Sequence, residues 1–436
     1  MGYLMKSKLL LALLLLGPCA STAQSVRSLS LDELFRLGTG NSLRLAASRI
    51  GESLAGEQEL DARAGRLPDI RVGATTGYLG QPVVFRQGLT QPSRPESPDW
   101  LYNYNVSVVQ PLYEGGRIRC GIRRAALQRR IAALTVADDE AEVRMLLLRH
   151  YLDLFSLYKQ RELFARNIEE AERRLADIRR MRNEGLVTRN AEIRSELELT
   201  NFRLSSRETD DNIAIVSQQL DILLGLDESL LLKPDTVALA AVNPLRTYAD
   251  YVEEACDNYP GLNIARRNID LARTDVRIAR SAYLPSLSLQ GSNTLARPLT
   301  TSMQDLFANN WNIQLSLSFN LSSLYRNRHK VHEARYQAAL SENREQQVLQ
   351  DLRIRVRSAY IRHQEALDRV ESLRLAEQQA EENYRIVRNR YLNQLSILTD
   401  LLDANGIRLQ TELQLTAARA ETVYTYYELL RACGNL

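Results

Sequence analysis

The chain has 436 residues, 44% of them apolar, and its many charges nearly cancel to a net of +3. That balance excludes a dedicated nucleic-acid binder, which would concentrate Lys and Arg on one element. Beyond the first 25 residues only Cys120, Cys256 and Cys433 remain, an odd and scattered set with neither a disulfide framework nor metal-ligand spacing.

The first residues read as an export signal. Lys6 and Lys8 supply a positive start, Leu9 to Leu16 an apolar stretch, and Ser21-Thr22-Ala23 a small-x-small cleavage site before Gln24, giving a signal peptide over 1–23. The apolar run is too short to span a bilayer as a helix. Cys19 follows a proline and fits lipid attachment poorly. Downstream, no stretch approaches the ~20 apolar residues of a membrane helix, so any crossing must use strands.

The mature sequence says nearly the same thing twice. Asn41 opens a helical run ending at Arg66-Leu67-Pro68, and Asn258 opens one ending at Tyr283-Leu284-Pro285 at the same interval. Each proline is followed by two alternating strands, a very long helix, a break and a shorter helix. Self-similarity on this scale decides the architecture. The halves fall at 24–224 and 248–436, with a linker at 225–247 that carries Pro234 and Pro244.

In the first half, residues 30–66 form one amphipathic helical region, opened by the capping pair Ser30 and Glu33. A strand hairpin follows over 69–113. Ile70, Val72, Ala74, Thr76 and Tyr78 share one face, and Trp100, Tyr102, Tyr104, Val106 and Val108 alternate with Asn103, Asn105 and Ser107 on the return. The connection, about Gly80 to Pro98, is long for a globular hairpin but ordinary for an external barrel loop. The long helix covers 117–183 and the returning helix 190–224.

In the second half the hairpin covers 286–321, with a loop from Gly291 to Ala308. Trp311, Ile313, Leu315, Leu317 and Phe319 alternate with Asn, Gln and Ser. Strand lengths near the ~9–11 residues that cross a bilayer at a tilt, and aromatics close to the strand ends, point to lipid rather than to a soluble sandwich. The long helix covers 326–391 and the returning helix 396–432. Leu352, Val356, Ala359, His363, Ala366, Val370 and Leu373 keep a heptad rhythm that returns at Ala380, Tyr384, Val387 and Tyr391; Ile168, Ala171, Leu175 and Ile178 repeat it in the first half. Such seams pack against neighbouring helices. His363 falls on the seam as a buried polar break.

Four strands cannot stand alone in lipid, because open edges leave backbone groups unpaired. Two chains would give eight strands, whose interior fills with side chains, whereas three would leave a lumen. The pattern favours a trimer.

The paired halves, the Leu-Pro before each first strand, Gln110-Pro111-Leu112-Tyr113-Glu114-Gly115-Gly116-Arg117 and Asp400-Leu401-Leu402-Asp403-Ala404 resemble the TolC family of outer-membrane efflux factors over essentially the whole mature chain. The resemblance implies a mixed, predominantly α fold: a trimeric outer-membrane β-barrel of four strands per chain and twelve in all, continuous with a long periplasmic α-helical coiled-coil barrel. It implies a homotrimer in the Gram-negative outer membrane, in contact with its lipid, working with a periplasmic adaptor and an inner-membrane efflux pump or ABC transporter. The channel is a passive duct for efflux or type I secretion, with no cofactor and no nucleic-acid partner.

By that resemblance Asp400 and Asp403 ring the periplasmic entrance and Tyr391 helps hold it shut. The turn Gly185, Leu186, Val187 and Thr188, with Leu395 and Ser396 in the second half, supplies adaptor-docking tips. Ser396 stands where a prototypical channel has an arginine latch, and Ala191 where the first half usually has aspartate. Glu192 is a substitute only if a one-residue shift, ~100° around the helix, can be absorbed. Gln394 replaces the usual glycine of the second tip, so its turn is expected to differ. His329 and His332 lack the further ligands of a metal site, and no Walker loop, nucleophile elbow or HExxH is present. The competing readings are a periplasmic coiled-coil adaptor or scaffold and an exported enzyme, for which no catalytic constellation exists.

Overall fold

A computed structural model of the chain describes residues 26–81, 83–94, 98–235, 245–298 and 305–436. The signal peptide, Cys19 and residues 236–244 of the linker lie outside them. In chain order the elements are β1 (Val26–Leu29), α1 (Leu31–Asn41), α2 (Leu43–Ala64), β2 (Asp69–Tyr78), β3 (Val84–Gln87), β4 (Thr90–Ser93), β5 (Trp100–Glu114), α3 (Arg117–Asn183), α4 (Arg189–Leu224), β6 (Leu231–Pro234), α5 (Tyr248–Asn258), α6 (Pro260–Ser281), β7 (Ser286–Arg297), β8 (Ala308–Ser318), α7 (Ser323–Leu392) and α8 (Leu398–Ala432). Among the described residues no helix is long and apolar enough to cross a membrane.

The repeats of the sequence are not the packing units. The chain divides into two compact units, one of 1–43, 140–252 and 355–436, the other of 44–139 and 253–354. Each takes segments from both halves, because α3 and α7, at 67 and 70 residues, run through the division.

The unit of 44–139 and 253–354 holds a four-stranded antiparallel sheet in the order β2-β5-β7-β8. The two hairpins join through β5 and β7, and β2 and β8 are the edges. Alternation sorts the side chains onto two faces. One carries Ile70, Val72, Tyr104, Val106, Leu289, Ile313, Leu315 and Leu317, and these are left in the open: Val72 is 79%, Ile313 69% and Leu317 70% exposed. The other is uncharged and polar across β7 and β8, where Ser292 Oγ donates to Asn312 Oδ1 at 3.0 Å and Gln314 Nε2 to Gln290 Oε1 at 2.8 Å. Tyr78 meets Trp100 edge-on at the end of the first hairpin, ring centroids 5.9 Å apart.

Two differences from the sequence expectation concern this unit. β7 continues through Gly291 to Arg297, so the loop of the second hairpin is shorter than expected; Asn293, Thr294 and Ala296 break the apolar rhythm yet pair in full register with β8. The loop of the first hairpin contains a small hairpin of its own, β3 with β4.

In the other unit the expected single helix over 30–66 opens as α1. Ser30 Oγ accepts from the Glu33 N–H at 3.3 Å, as the capping pair predicts, but the helix breaks at Ser42, whose backbone is extended (φ −65°, ψ 117°). β1 pairs in parallel with β6, a strand pair that alternation could not reveal in four residues. The buried Tyr151 hydroxyl lies 3.0 Å from both Leu29 O and Asp235 O and clasps the outer ends of that pair; burial pushes its pKa up to about 12. The heptad seams are buried as expected: Val356, Ala359, His363, Ala366 and Tyr384 on α7, Ala171, Leu175 and Ile178 on α3. His363 Nδ1 is 3.0 Å from Thr425 Oγ1, and burial lowers its pKa despite a backbone bond at Thr422.

Candidate periplasmic entrance and docking tips

Both long helices end in the same way. At the α3 terminus the Gly185 N–H donates to Arg182 O and the Leu186 N–H to Met181 O, each at 2.9 Å. At the α7 terminus the Gln394 N–H donates to Tyr391 O at 3.0 Å and the Leu395 N–H to Arg390 O at 2.8 Å. This is the Schellman pattern, which needs a left-handed residue. Gly185 supplies it at φ +76° and Gln394 at φ +60°. The expectation that Gln394 changes the turn is therefore corrected: hydrogen bonding of the last turn overrides the side-chain preference. Thr188 and Ile397 occupy the next N-cap positions with extended backbone and no side-chain cap bond. The turns leave apolar side chains uncovered, with Leu186 59% and Leu395 67% exposed, while Val187 is half-buried.

Asp400 and Asp403 stand on the exposed side of the first turns of α8, one helical turn apart. The opposite side carries Leu401 and Ala404, packed with Tyr384, Val387 and Tyr391 of α7, and that burial fixes which way the carboxylates face. Ser396 Oγ donates to Asp400 Oδ2 at 2.7 Å. Ser396 therefore steadies Asp400 within its own tip. The Tyr391 hydroxyl is buried without a hydrogen-bond partner among the described residues, and burial raises its pKa.

Glu192 does not replace the missing aspartate. It is buried within its own hairpin, paired with Arg182 and, at 3.2 Å, with Arg179. The hydrogen bond from Arg182 holds its carboxyl below the usual range, against the cost of burial.

Above the tips, a polar cluster joins α3 and α4 to α7 and α8. Arg408 Nη2 lies 2.7 Å from Glu170 Oε2 and 2.9 Å from Asn405 Oδ1, and its guanidinium stacks 4.0 Å from the Tyr384 ring centroid. The Tyr384 hydroxyl donates to Glu170 Oε2 at 3.2 Å, and Arg174 pairs with Glu198 at 2.5 Å. Burial opposes the charge on Arg408, but Glu170 outweighs it and its pKa is raised. At Glu198 burial wins over Arg174 and Asn405, and its pKa is raised. Sequence reasoning missed this cluster. Its one visible signal is that Asn405 and Arg408 fall on the same α8 stripe as Leu401, where apolar residues belong.

The fold and these tips define a class: a chain contributing four antiparallel strands and two long helical hairpins. Residues 251–435 match the family model described as Outer membrane efflux protein. No curated protein matches the sequence. Among solved structures, the outer-membrane channel OprN superposes with a TM-score of 0.78 at 17% identity, covering 93% of this chain and 90% of its own. The outer membrane protein VceC from Vibrio cholerae gives 0.75 at 16%, covering 93% and 96%, and the open state of the Neisseria gonorrhoeae MtrE outer membrane channel 0.74 at 16%, covering 93% and 88%. Residues 251–435 thus carry the pattern of the outer membrane efflux proteins, and nearly the whole chain shares the fold of solved outer-membrane channels.

Proposed function

We propose that three copies of this chain close a twelve-stranded barrel and form a passive duct that an adaptor and an inner-membrane pump open at its periplasmic end. The sheet carries the reading: it has a bare apolar face, a polar face that is uncharged across β7 and β8, and two open edges, β2 and β8. Open edges in hydrocarbon leave unpaired backbone groups that cost several kcal/mol each, so closure with other copies is the stable solution. A periplasmic adaptor or scaffold would share the long helices but has no use for such a sheet.

In this reading Asp400 and Asp403 of each copy ring the entrance. Crowded carboxylates favour cations and disfavour full ionisation of their neighbours. Tyr391 packs the entrance shut, and the exposed turns at Leu186 and Leu395 are the docking tips. With Ala191, Ser396 and the internally paired Glu192, the entrance is held by packing and by the Arg408 cluster rather than by an ionic latch of the usual kind. Ion selectivity of the purified channel in planar bilayers tests the assignment. Asp400→Asn with Asp403→Asn is expected to reduce cation preference severalfold, and unchanged selectivity would remove both residues from the conducting path.

A further inference from the structure

The near-neutral balance of the whole chain conceals a strong local excess. The starts of β2 and β7 and the ends of β5 and β8 lie at one side of the sheet, as the pairings of Ser286 with Glu114 and with Ser318 show, and each continues into a helix. On that side Arg117–Arg130 of α3 contains six arginines and no acidic residue. The opening of α7 carries Arg326, Arg328, Lys330 and Arg335 against Glu333 alone. Some of these charges are used internally: Arg117 pairs with Glu114, Arg124 with Asp275 and Arg129 with Glu59. Arg119, Arg123, Arg277, Arg280, Arg326 and Arg328 are exposed, and their side chains make no ion pair or hydrogen bond among the described residues. Neither α3 nor α7 has an acidic residue in its first turn, so Arg119 and Arg326 sit at the positive ends of the two helix dipoles without a carboxylate of that turn beside them.

We propose that this belt binds the phosphate headgroups of anionic phospholipid in the leaflet on the helical side of the sheet. The inference rests on the sheet's placement in a membrane and adds the chemistry of the adjoining lipid. Headgroups occupy roughly 5–8 Å beyond the hydrocarbon on each side, and residues 117–123 rise only about 10 Å along α3. Arginine stems lie along apolar surface while the guanidinium reaches phosphate, which its fork matches bidentately. An uncharged headgroup with the same tails would find the same apolar band but no counter-charge for the belt.

The test uses the full-length protein in detergent, offered equal amounts of phosphatidylglycerol and phosphatidylcholine with identical chains, with retained lipid counted by native mass spectrometry. Retention is expected to favour phosphatidylglycerol about tenfold at low salt, falling severalfold at high salt as screening shortens the field. The variant R119Q/R123Q/R326Q/R328Q is expected to lose the preference while still inserting. Equal retention by the parent, or an undiminished preference in the variant, overturns the proposal. Displacement of the bound lipid by millimolar inorganic phosphate also overturns it and makes the belt a site for the free anion. If the variant fails to assemble, the parent's headgroup and salt dependence still decide. Failure of the parent to enter any bilayer would instead sink the membrane reading of the sheet.

Discussion

Gln394 repeats the backbone of Gly185. The two residues close the turns of the two halves with φ of +60° and +76° and equivalent hydrogen bonds to the preceding helix. A side chain in the left-handed region costs roughly 1–2 kcal/mol, which Gly185 avoids and Gln394 does not.

Gln394→Gly should therefore stabilise the second tip. Relief of strain exceeds the extra freedom of glycine in the unfolded chain, leaving a gain of roughly 0.5–1 kcal/mol. Hydrogen exchange of the amides around Leu395 is expected to slow by a few-fold. Faster exchange would mean that the glutamine side chain holds the turn.

Asp221 offers a test by pH. It is 0% exposed, and neither carboxylate oxygen has a partner among the described residues. Burial, with Asp227 and Glu228 nearby and only partial relief from Arg27, pushes its pKa from 3.8 up to about 6. A carboxyl raised in this way contributes most when protonated. Its contribution is intact below pH 3.8 and is lost as pH rises through about 6. Asp221→Asn keeps the neutral form at every pH, so its thermal stability relative to the parent should rise between pH 4 and pH 8, by up to about 3 kcal/mol at 1.36 kcal/mol per unit. A gap independent of pH would show that Asp221 finds a partner in the assembled protein.

Arg408 couples the hairpins through Glu170. Removing one partner of a well-buried pair costs about 3–5 kcal/mol, and less here because Glu170 is partly exposed. Arg408→Ala should destabilise the unit of α3, α4, α7 and α8 more than Glu170→Gln, and the two changes together by less than their sum. Additive effects in thermal unfolding would show that the two side chains do not interact.

The architecture was legible because its signals are long. Period-two alternation identified all four strands of the sheet, along most of β2, β5 and β8 but only over 286–290 of β7, and heptads sustained along α7 placed Val356, His363 and Tyr384 on a buried seam. Short or context-dependent features were not legible. β1 and β6 have four residues each and exist because they pair with one another and with the Tyr151 hydroxyl. The break at Ser42 has Gly38 and Gly40 just before it, but both lie inside α1 and were absorbed into one helical region. Asn293 and Thr294 looked like loop residues although register holds them in β7. Asp400, Asp403 and Tyr391 are proposed for the entrance through family resemblance alone, and nothing in their spacing distinguishes them from an ordinary helix start. The Arg408 cluster was invisible for another reason: its members come from four helices, and a lone arginine on an apolar stripe does not name its partner.

Closure of the barrel by separate copies is tested most directly by cross-linking the sheet edges in the outer membrane. Thr75 of β2 and, in turn, Asn310, Asn312 or Gln314 of β8 are replaced by cysteine in a background lacking Cys120, Cys256 and Cys433. In at least one register, oxidation should give a covalent ladder that stops at three chains. A cross-link that stays within single chains, or no cross-link in any register, would contradict the account.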